Sequence, residues 1–299
     1  MSVMETILND IKKGNLLAKL RFRGMIKFSI RIKTITGLLI AGGTEEIEIG
    51  KVDKVFIRDP VTNLPYIPGS SLKGVMRSML EYKYGKVSEG GKVHVCDSVD
   101  CPICRVFGTT KDILSGPTRV HVADGIMTNK TKTMLEERGL WSYTELKTEN
   151  FINRIFGRAE SPRTFERVPP QSEFASEIHY LVFATEIKLA KPEAEVDKAT
   201  IDELNKKLRW EEDIGFIKYV IEGLILAEDH GLGASTSRGY GKVEILIDGI
   251  EVHNLAYYNE GKDPVVIPLT EIVGKETARP RELLEKFEDL KRKLIEVLS

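Results

Sequence analysis

Residues 53–77 read DKVFIRDPVTNLPYIPGSSLKGVMR, and the prolines in this run limit the folds open to the chain. Pro60, Pro65 and Pro68 exclude a helix before Gly69, because each lacks an amide donor and fixes its own φ. Ser70 and Ser71 are natural N-caps for a helix beginning at Leu72. Leu72, Val75, Met76, Met79 and Leu80 recur at helical spacing and form one apolar face, leaving Lys73, Arg77 and Glu81 on another. An extended loop must therefore turn into a half-buried helix here, with the free N–H groups of residues 69–71 and two cations beside the turn. Such a start suits a phosphate, although an ordinary capped helix with a solvated face has the same pattern. Gly69 and Gly74 stand in a G-x4-G frame, but Val75 and Met76 follow where a nucleotide P-loop needs Lys and Ser or Thr. No mononucleotide site is implied.

Before this run, residues 4–20 have the weak apolar spacing of a short amphipathic helix (Ile7, Ile11, Leu16, Leu17). Ile26, Phe28, Ile30 and Ile32 then alternate with Lys27, Ser29, Arg31 and Lys33, the period of a half-buried strand over residues 25–35. That strand ends at Thr36-Gly37, and an acidic glycine loop follows through Gly42, Gly43, Thr44, Glu45, Glu46, Glu48, Gly50, Asp53 and Asp59. Taken singly, such carboxylates are most often solvated.

All three cysteines of the 299 residues fall together as Cys96-x4-Cys101-x2-Cys104, with His94 just before them. Thiolates at this spacing close around one tetrahedral zinc ion, and Pro102 inside the last turn is typical of a metal-binding knuckle. His94 is the first candidate for the fourth ligand, with Asp97 and Asp100 as alternatives. Four protein ligands leave no open position, so the zinc is expected to be structural.

Residues 119–123 form a second strand candidate. From about 126 to 172 the chain turns polar, basic and irregular. Lys130, Lys132, Lys147, Arg154, Arg158, Arg163 and Arg167 interleave there with Trp141, Tyr143, Phe151, Phe156 and Phe165, a mixture suited to backbone charge and base stacking. A strand pattern resumes over residues 177–189, and 191–208 is a charged connector. Ile217, Val220, Ile221 and Leu224 give a helix face ending near His230, then comes GLGASTSRGYGK, then a strand through Val243, Ile245 and Ile247. A dinucleotide fingerprint needs strand, glycine loop, helix; here the order is reversed and that reading fails. Glycines without side chains let a phosphodiester approach, and Arg238 supplies charge. Leu283, Leu284, Phe287, Leu290 and Leu294 mark a terminal helix.

Lys plus Arg number 44 against 45 Asp plus Glu, so a nucleic-acid surface has to be a local patch. Charges scattered through the first twenty residues argue against a signal peptide, and no run of eighteen apolar residues occurs. A soluble cytoplasmic protein without membrane contact is expected.

The order of elements predicts an α+β fold, a ferredoxin-like or RRM-like antiparallel sheet with two insertions. Three stretches carry a family resemblance: IRDPVTNLPYIPGSSLKGVMR, the Thr36-Gly37 turn with Gly42-Gly43, and GLGASTSRGYGK. Over about residues 22–250 they resemble the RAMP superfamily, and within it the backbone subunits of type III-A (Csm) CRISPR-Cas interference complexes. The expected division is an N-terminal helical extension (1–20), the RAMP domain (21–255) with zinc (about 86–115) and thumb (about 126–172) insertions, and a C-terminal extension with a helix (256–299).

The resemblance implies copies of the chain stacked along a CRISPR guide RNA beside other Csm subunits. Each copy pushes its thumb through the guide–target duplex and cuts the complementary target RNA there, as a divalent-metal-dependent endoribonuclease. By the same resemblance Asp53 is the catalytic residue, assisted by Mg2+ or another divalent cation, since a carboxylate near a splayed phosphodiester can hold metal or assist the 2′-hydroxyl. Ser70, Ser71, Lys73 and Arg77 are implied on guide phosphates, with Gly233, Ser237 and Arg238 of the glycine loop. A Cys/His zinc site also occurs in some members. One departure is Leu39, where many relatives carry a histidine in a G-L-H-I-G turn; leucine cannot titrate or donate to RNA. The alternatives are a guide-holding scaffold that does not cleave, and a guide-processing endonuclease working by a histidine pair. His94, His121, His179, His230 and His253 show no such pairing in sequence.

Overall fold

Strand β1 (Leu16–Thr34) is the axis of the molecule. Its Ile26, Phe28, Ile30 and Ile32 are buried, as the alternation predicts. The strand nevertheless begins at Leu16, so the expected helix over 4–20 divides into α1 (Val3–Lys12), a turn at Gly14, and strand. The reason is pairing: β7 (Glu173–Leu189) runs antiparallel along all of β1, from Leu16↔Leu189 to Lys33↔Glu173, and recruits residues whose local pattern is not strand-like. The computed structural model describes residues 3–42, 53–111, 114 and 116–299. Gly43, Thr44, Glu45, Glu46, Glu48 and Gly50 of the acidic loop lie outside the described residues.

The remaining elements are β2 (Tyr66–Ile67), α2 (Gly69–Lys83), α3 (Pro102–Phe107), β3 (Val120–Val122), β4 (Gly125–Met127), α4 (Asn129–Glu137), β5 (Glu145–Ile152) and β6 (Ala159–Arg167), all before β7. After β7 come α5 (Lys198–Lys207), α6 (Trp210–Gly215), α7 (Ile217–His230), β8 (Val243–Asn254), α8 (Leu255–Glu260), β9 (Val265–Ile267), α9 (Leu269–Val273), α10 (Pro280–Glu285) and α11 (Phe287–Leu298). The main sheet has the order β2-β4-β7-β1-β8-β9, with β3 also paired to β7. Stripped to β1-α2-β4-β7-α7-β8, with β4-β7-β1-β8 adjacent and antiparallel, this is the expected ferredoxin-like arrangement. Helices α2 and α7 pack together over the apolar side of β1; a Cβ on Gly223 would come within 3.0 Å of Met76, so glycine sets their close approach.

Helix α1 and the segment after β8 both pack on the domain. Ile7 of α1 joins Leu16, Val99, Ile187, Ile201 and Leu208 in a second small core at the far end of β1 and β7. Strand β9 extends the sheet beyond β8, and α10 and α11 pack on α7, α6 and β8. The stretch expected to be irregular, 126–172, contains α4 and a separate two-stranded sheet, β5–β6. Its strands were hidden because few of their side chains are buried, so the hydrophobic alternation is absent.

Candidate nucleic-acid interface

Helix α2 begins at Gly69, not Leu72, and its N-cap is Pro68 with no side-chain cap from Ser70 or Ser71. The Gly69 amide instead donates to Asp124 Oδ1 at 2.7 Å, a cap from the link between β3 and β4. A Cβ at Gly69 would lie 2.1 Å from the Val122 carbonyl oxygen, so only glycine lets the helix start dock there. Ser70 is exposed and Ser71 half-buried. Lys73 Nζ donates to the Val120 carbonyl at 2.8 Å; burial first, then neighbouring Arg77, hold its pKa below the usual lysine value. Arg77 Nε binds Glu81 Oε1 at 2.9 Å and its Nη2 donates to the His94 carbonyl at 2.8 Å. The Arg77 guanidinium is thus committed to the cysteine segment.

That segment gathers His94, Cys96, Cys101 and Cys104 with their ligand atoms all within 4.8 Å of one another. Cys96 and Cys104 sulfurs are 3.6 Å apart, and Cys101 Sγ is 3.5 Å from His94 Nε2. The Cys104 thiol donates to Cys101 and pulls its pKa down to about 4, while the same contact holds Cys104 up; burial raises Cys96. A depressed thiol among clustered sulfurs and an imidazole is a donor set that can hold a metal ion. Among the described residues it is the one cluster of three or more metal-ligating side chains.

A buried ion triad that sequence reading missed anchors the segment. Asp213, fully buried on α6, binds Arg105 Nε through Oδ1 and Arg119 Nε through Oδ2, each at 2.8 Å. It also accepts the Phe183 amide at 3.0 Å, and its carbonyl accepts the Tyr180 hydroxyl at 2.8 Å. The available signal was Arg105 itself, a charge inside the apolar helical run PICRVF next to Cys104.

Asp53 is exposed at the base of the β5–β6 hairpin. Its Oδ2 accepts the Thr164 amide at 2.6 Å, and its own amide donates to the Thr164 carbonyl at 2.8 Å. Lys54 makes an isolated parallel bridge to Phe165, so residues 53–54 lie along the edge of β6. Glu166 and Arg58 lock this base: the Arg58 Nη2 to Glu166 Oε1 distance is 2.5 Å, and Glu166 also accepts from Thr144 Oγ1 at 2.6 Å and the Phe56 amide at 2.9 Å. Burial would raise the Glu166 pKa, but these partners hold it below the ordinary carboxylate value. The far end of the hairpin presents Phe151, Ile155 and Phe156, at least 60% exposed, with the Arg158 guanidinium 5.1 Å from the Phe156 ring centre.

The glycine loop folds back on the 36–41 turn: the Ala234 amide donates to Leu39 and the Gly241 amide to Gly37. Gly233 has φ +77°, and a Cβ there would lie 2.2 Å from the Leu39 carbonyl oxygen. Its missing side chain therefore admits the protein's own backbone, where the sequence suggested a ligand's. Ser237 and Arg238 are exposed; Arg238 Nη2 donates to Ser235 Oγ at 2.7 Å, and its guanidinium lies 6.0 Å from the Phe165 ring centre. Leu39, Phe165 and Tyr240 form a small apolar cluster joining turn, hairpin and loop. The fold thus brings Asp53 and Arg238 to the same stretch of β6, while Lys73 and Arg77 are engaged with β3 and the cysteine segment. Among the described residues, no helix is long and apolar enough to cross a membrane.

A family model described as the RAMP superfamily matches residues 31–244. The chain is 39% identical over 237 residues to the CRISPR system Cms endoribonuclease Csm3 of Methanothermobacter thermautotrophicus, covering 75% of this chain and 84% of that protein. It is also 39% identical over 219 residues to the Streptococcus thermophilus protein of the same name, covering 73% of this chain and 86% of that one. Among solved structures, Methanopyrus kandleri Csm3 superposes with a TM-score of 0.60 at 24% identity, covering 91% of this chain and 98% of the other, a likeness of fold.

Proposed function

The chain belongs to the RAMP superfamily, and on that premise we propose that it is the endoribonuclease backbone subunit of a type III-A CRISPR effector. The observation that carries the reading to particular atoms is the Asp53 carboxylate pinned at the base of a protruding hairpin, beside the stretch of β6 that Arg238 approaches. The exposed Phe151, Ile155 and Phe156 form a wedge able to part stacked bases, which would splay the target backbone at the hairpin base where Asp53 stands. Cleavage needs a 2′-hydroxyl in line with the scissile phosphate. Asp53 orients or deprotonates it; as the 2′-oxygen bonds to phosphorus the P–O5′ bond breaks, and the departing 5′-oxygen takes a proton from water, leaving a 2′,3′-cyclic phosphate. A divalent cation such as Mg2+ would neutralise phosphate charge beside Asp53.

Ser70, Ser71 and Lys73 at the α2 start, with Ser237 and Arg238 of the loop that Gly233 seats against Leu39, are assigned to the guide strand. Arg77 is assigned to bracing His94. The expected partners are a CRISPR guide RNA, its complementary target, further copies of the chain and other Csm subunits, in the cytoplasm. The knuckle of His94, Cys96, Cys101 and Cys104 fits zinc by donor type and mutual distance, and would stabilise the segment between α2 and α3 without entering the reaction.

The test is cleavage of labelled target RNA by the reconstituted guide complex, comparing wild type with Asp53→Ala at equal guide and target occupancy, with magnesium or EDTA. Cuts at regular spacing that disappear with the substitution or the chelator, while target binding persists, are expected. Undiminished cutting by the variant removes Asp53 from the chemistry; a wild-type complex that binds and never cuts is a scaffold.

A further inference from the structure

We propose that the cleft between the β5–β6 hairpin and the glycine loop is a phosphodiester site made by Arg163 and Arg238, which Glu149 occupies until RNA displaces it. The proposal rests on the RNA-handling reading above and adds a residue set to it. Glu149 on β5 stands opposite Arg163 on β6 in the hairpin register, and its Oε2 is 3.6 Å from Arg238 Nη1. One carboxylate therefore faces two guanidiniums, leaving the cleft one positive charge in excess. Arg163 makes no side-chain hydrogen bond or ion pair among the described residues, and Arg238 is held at an exposed position by Ser235, Glu149 and the face of Phe165. Arg163 can turn to a ligand, and Arg238, 55% exposed, can do so by exchanging Glu149 for it.

Tyr240 adds an independent observation. It is 4% exposed, and burial together with the Glu149 carboxylate that its hydroxyl approaches pushes its pKa to about 12. The Glu149 carboxylate is thus held between the Tyr240 hydroxyl and the two arginines, and its departure would leave the buried hydroxyl needing another acceptor. Thr164, which holds Asp53, adjoins Arg163 in the chain, so a phosphate in this cleft would lie beside the residue proposed to cut.

A carboxylate and a phosphodiester each bring one negative charge and accept from guanidinium in similar geometry. Entry of RNA therefore exchanges one anion for another, and the freed Glu149 repels the phosphate until the hairpin shifts. Glu149 thereby lowers affinity and couples the hairpin to the glycine loop.

The experiment measures binding of a labelled guide RNA, alone and annealed to its target, across a salt series for wild type, Glu149→Gln, Arg163→Gln and Lys73→Gln, each checked for an unchanged melting temperature. Glu149→Gln is expected to tighten binding about 2- to 5-fold, the worth of an exposed ion pair. Arg163→Gln is expected to weaken it and lower the salt slope by roughly 0.7–0.9, one phosphate contact. Effects on guide alone assign the phosphate to the guide strand; effects only with the duplex assign it to the target. Unchanged or weaker binding by Glu149→Gln, or an unchanged slope for Arg163→Gln, overturns the proposal. If Lys73→Gln weakens binding while the other two variants match wild type, this site alone falls. If wild type binds neither RNA, the RNA-handling reading falls with it.

Discussion

Glu166 shows how much one side chain joins at this interface. Its two oxygens take Arg58, Thr144 and the Phe56 amide, so the IRDP loop, the foot of the hairpin and β6 meet at one carboxylate. Because its pKa in the folded protein is held below the unfolded value, its contribution to stability is complete above the ordinary carboxylate range and is lost as pH falls through the folded value. Glu166→Gln should therefore flatten the acid limb of the stability profile, measured by urea unfolding from neutral pH downward, and leave less difference from wild type at the most acid point. The gathering of His94, Cys96, Cys101 and Cys104 was legible in advance because their spacing in the chain already holds them close, and Asp53 and Arg238 stood out only through the motifs that carry the family resemblance. Glu149 and Glu166 could not be, since each gains its meaning from a partner across the hairpin or beyond it. Leu39 illustrates a departure that the fold absorbs: it is fully buried against Phe165 and Tyr240, so the position serves packing here.

At the scale of elements, α2 and the knuckle act together. Arg77 reaches from the helix to the His94 carbonyl, and Glu81 accepts the His94 amide at 3.3 Å while pairing with Arg77. The second half of the knuckle is held from α3, whose Arg105 enters the buried triad. Residues that support a metal's ligands tune affinity without touching the ion. Arg77→Gln is accordingly expected to weaken zinc affinity about 10-fold in a chelator competition while leaving the salt slope of guide binding unchanged. A slope reduced by one phosphate contact with zinc affinity intact would restore Arg77 to the RNA surface. The hairpin is the opposite kind of element, with little buried along β5, and is positioned mainly by its foot.

For the whole molecule, the sheet and the Asp213 triad decide how the insertions relate to the domain. Asp213 comes from α6, Arg105 from the knuckle insertion and Arg119 from the start of the strand that follows it. Removing a single buried anion would leave two guanidiniums unmatched in a medium that solvates them poorly. Asp213→Asn should cost about 3–5 kcal/mol of unfolding free energy, read from the urea midpoint; a loss within experimental error would mean the arginines find water on rearrangement.

Strands β1, β7 and β8, helices α2 and α7 and the clustering of His94 with the three cysteines were determined by the sequence alone, because periodicity and motif spacing act between near neighbours in the chain. Tertiary structure decided the rest: the extension of β1 back to Leu16, the cap on α2 from Asp124, the packing role of Gly233 and the engagement of Arg77. Each of these depends on contact with a residue distant in sequence. Such contacts are selected by sheet register and by the need to satisfy buried polar groups, which no local pattern encodes.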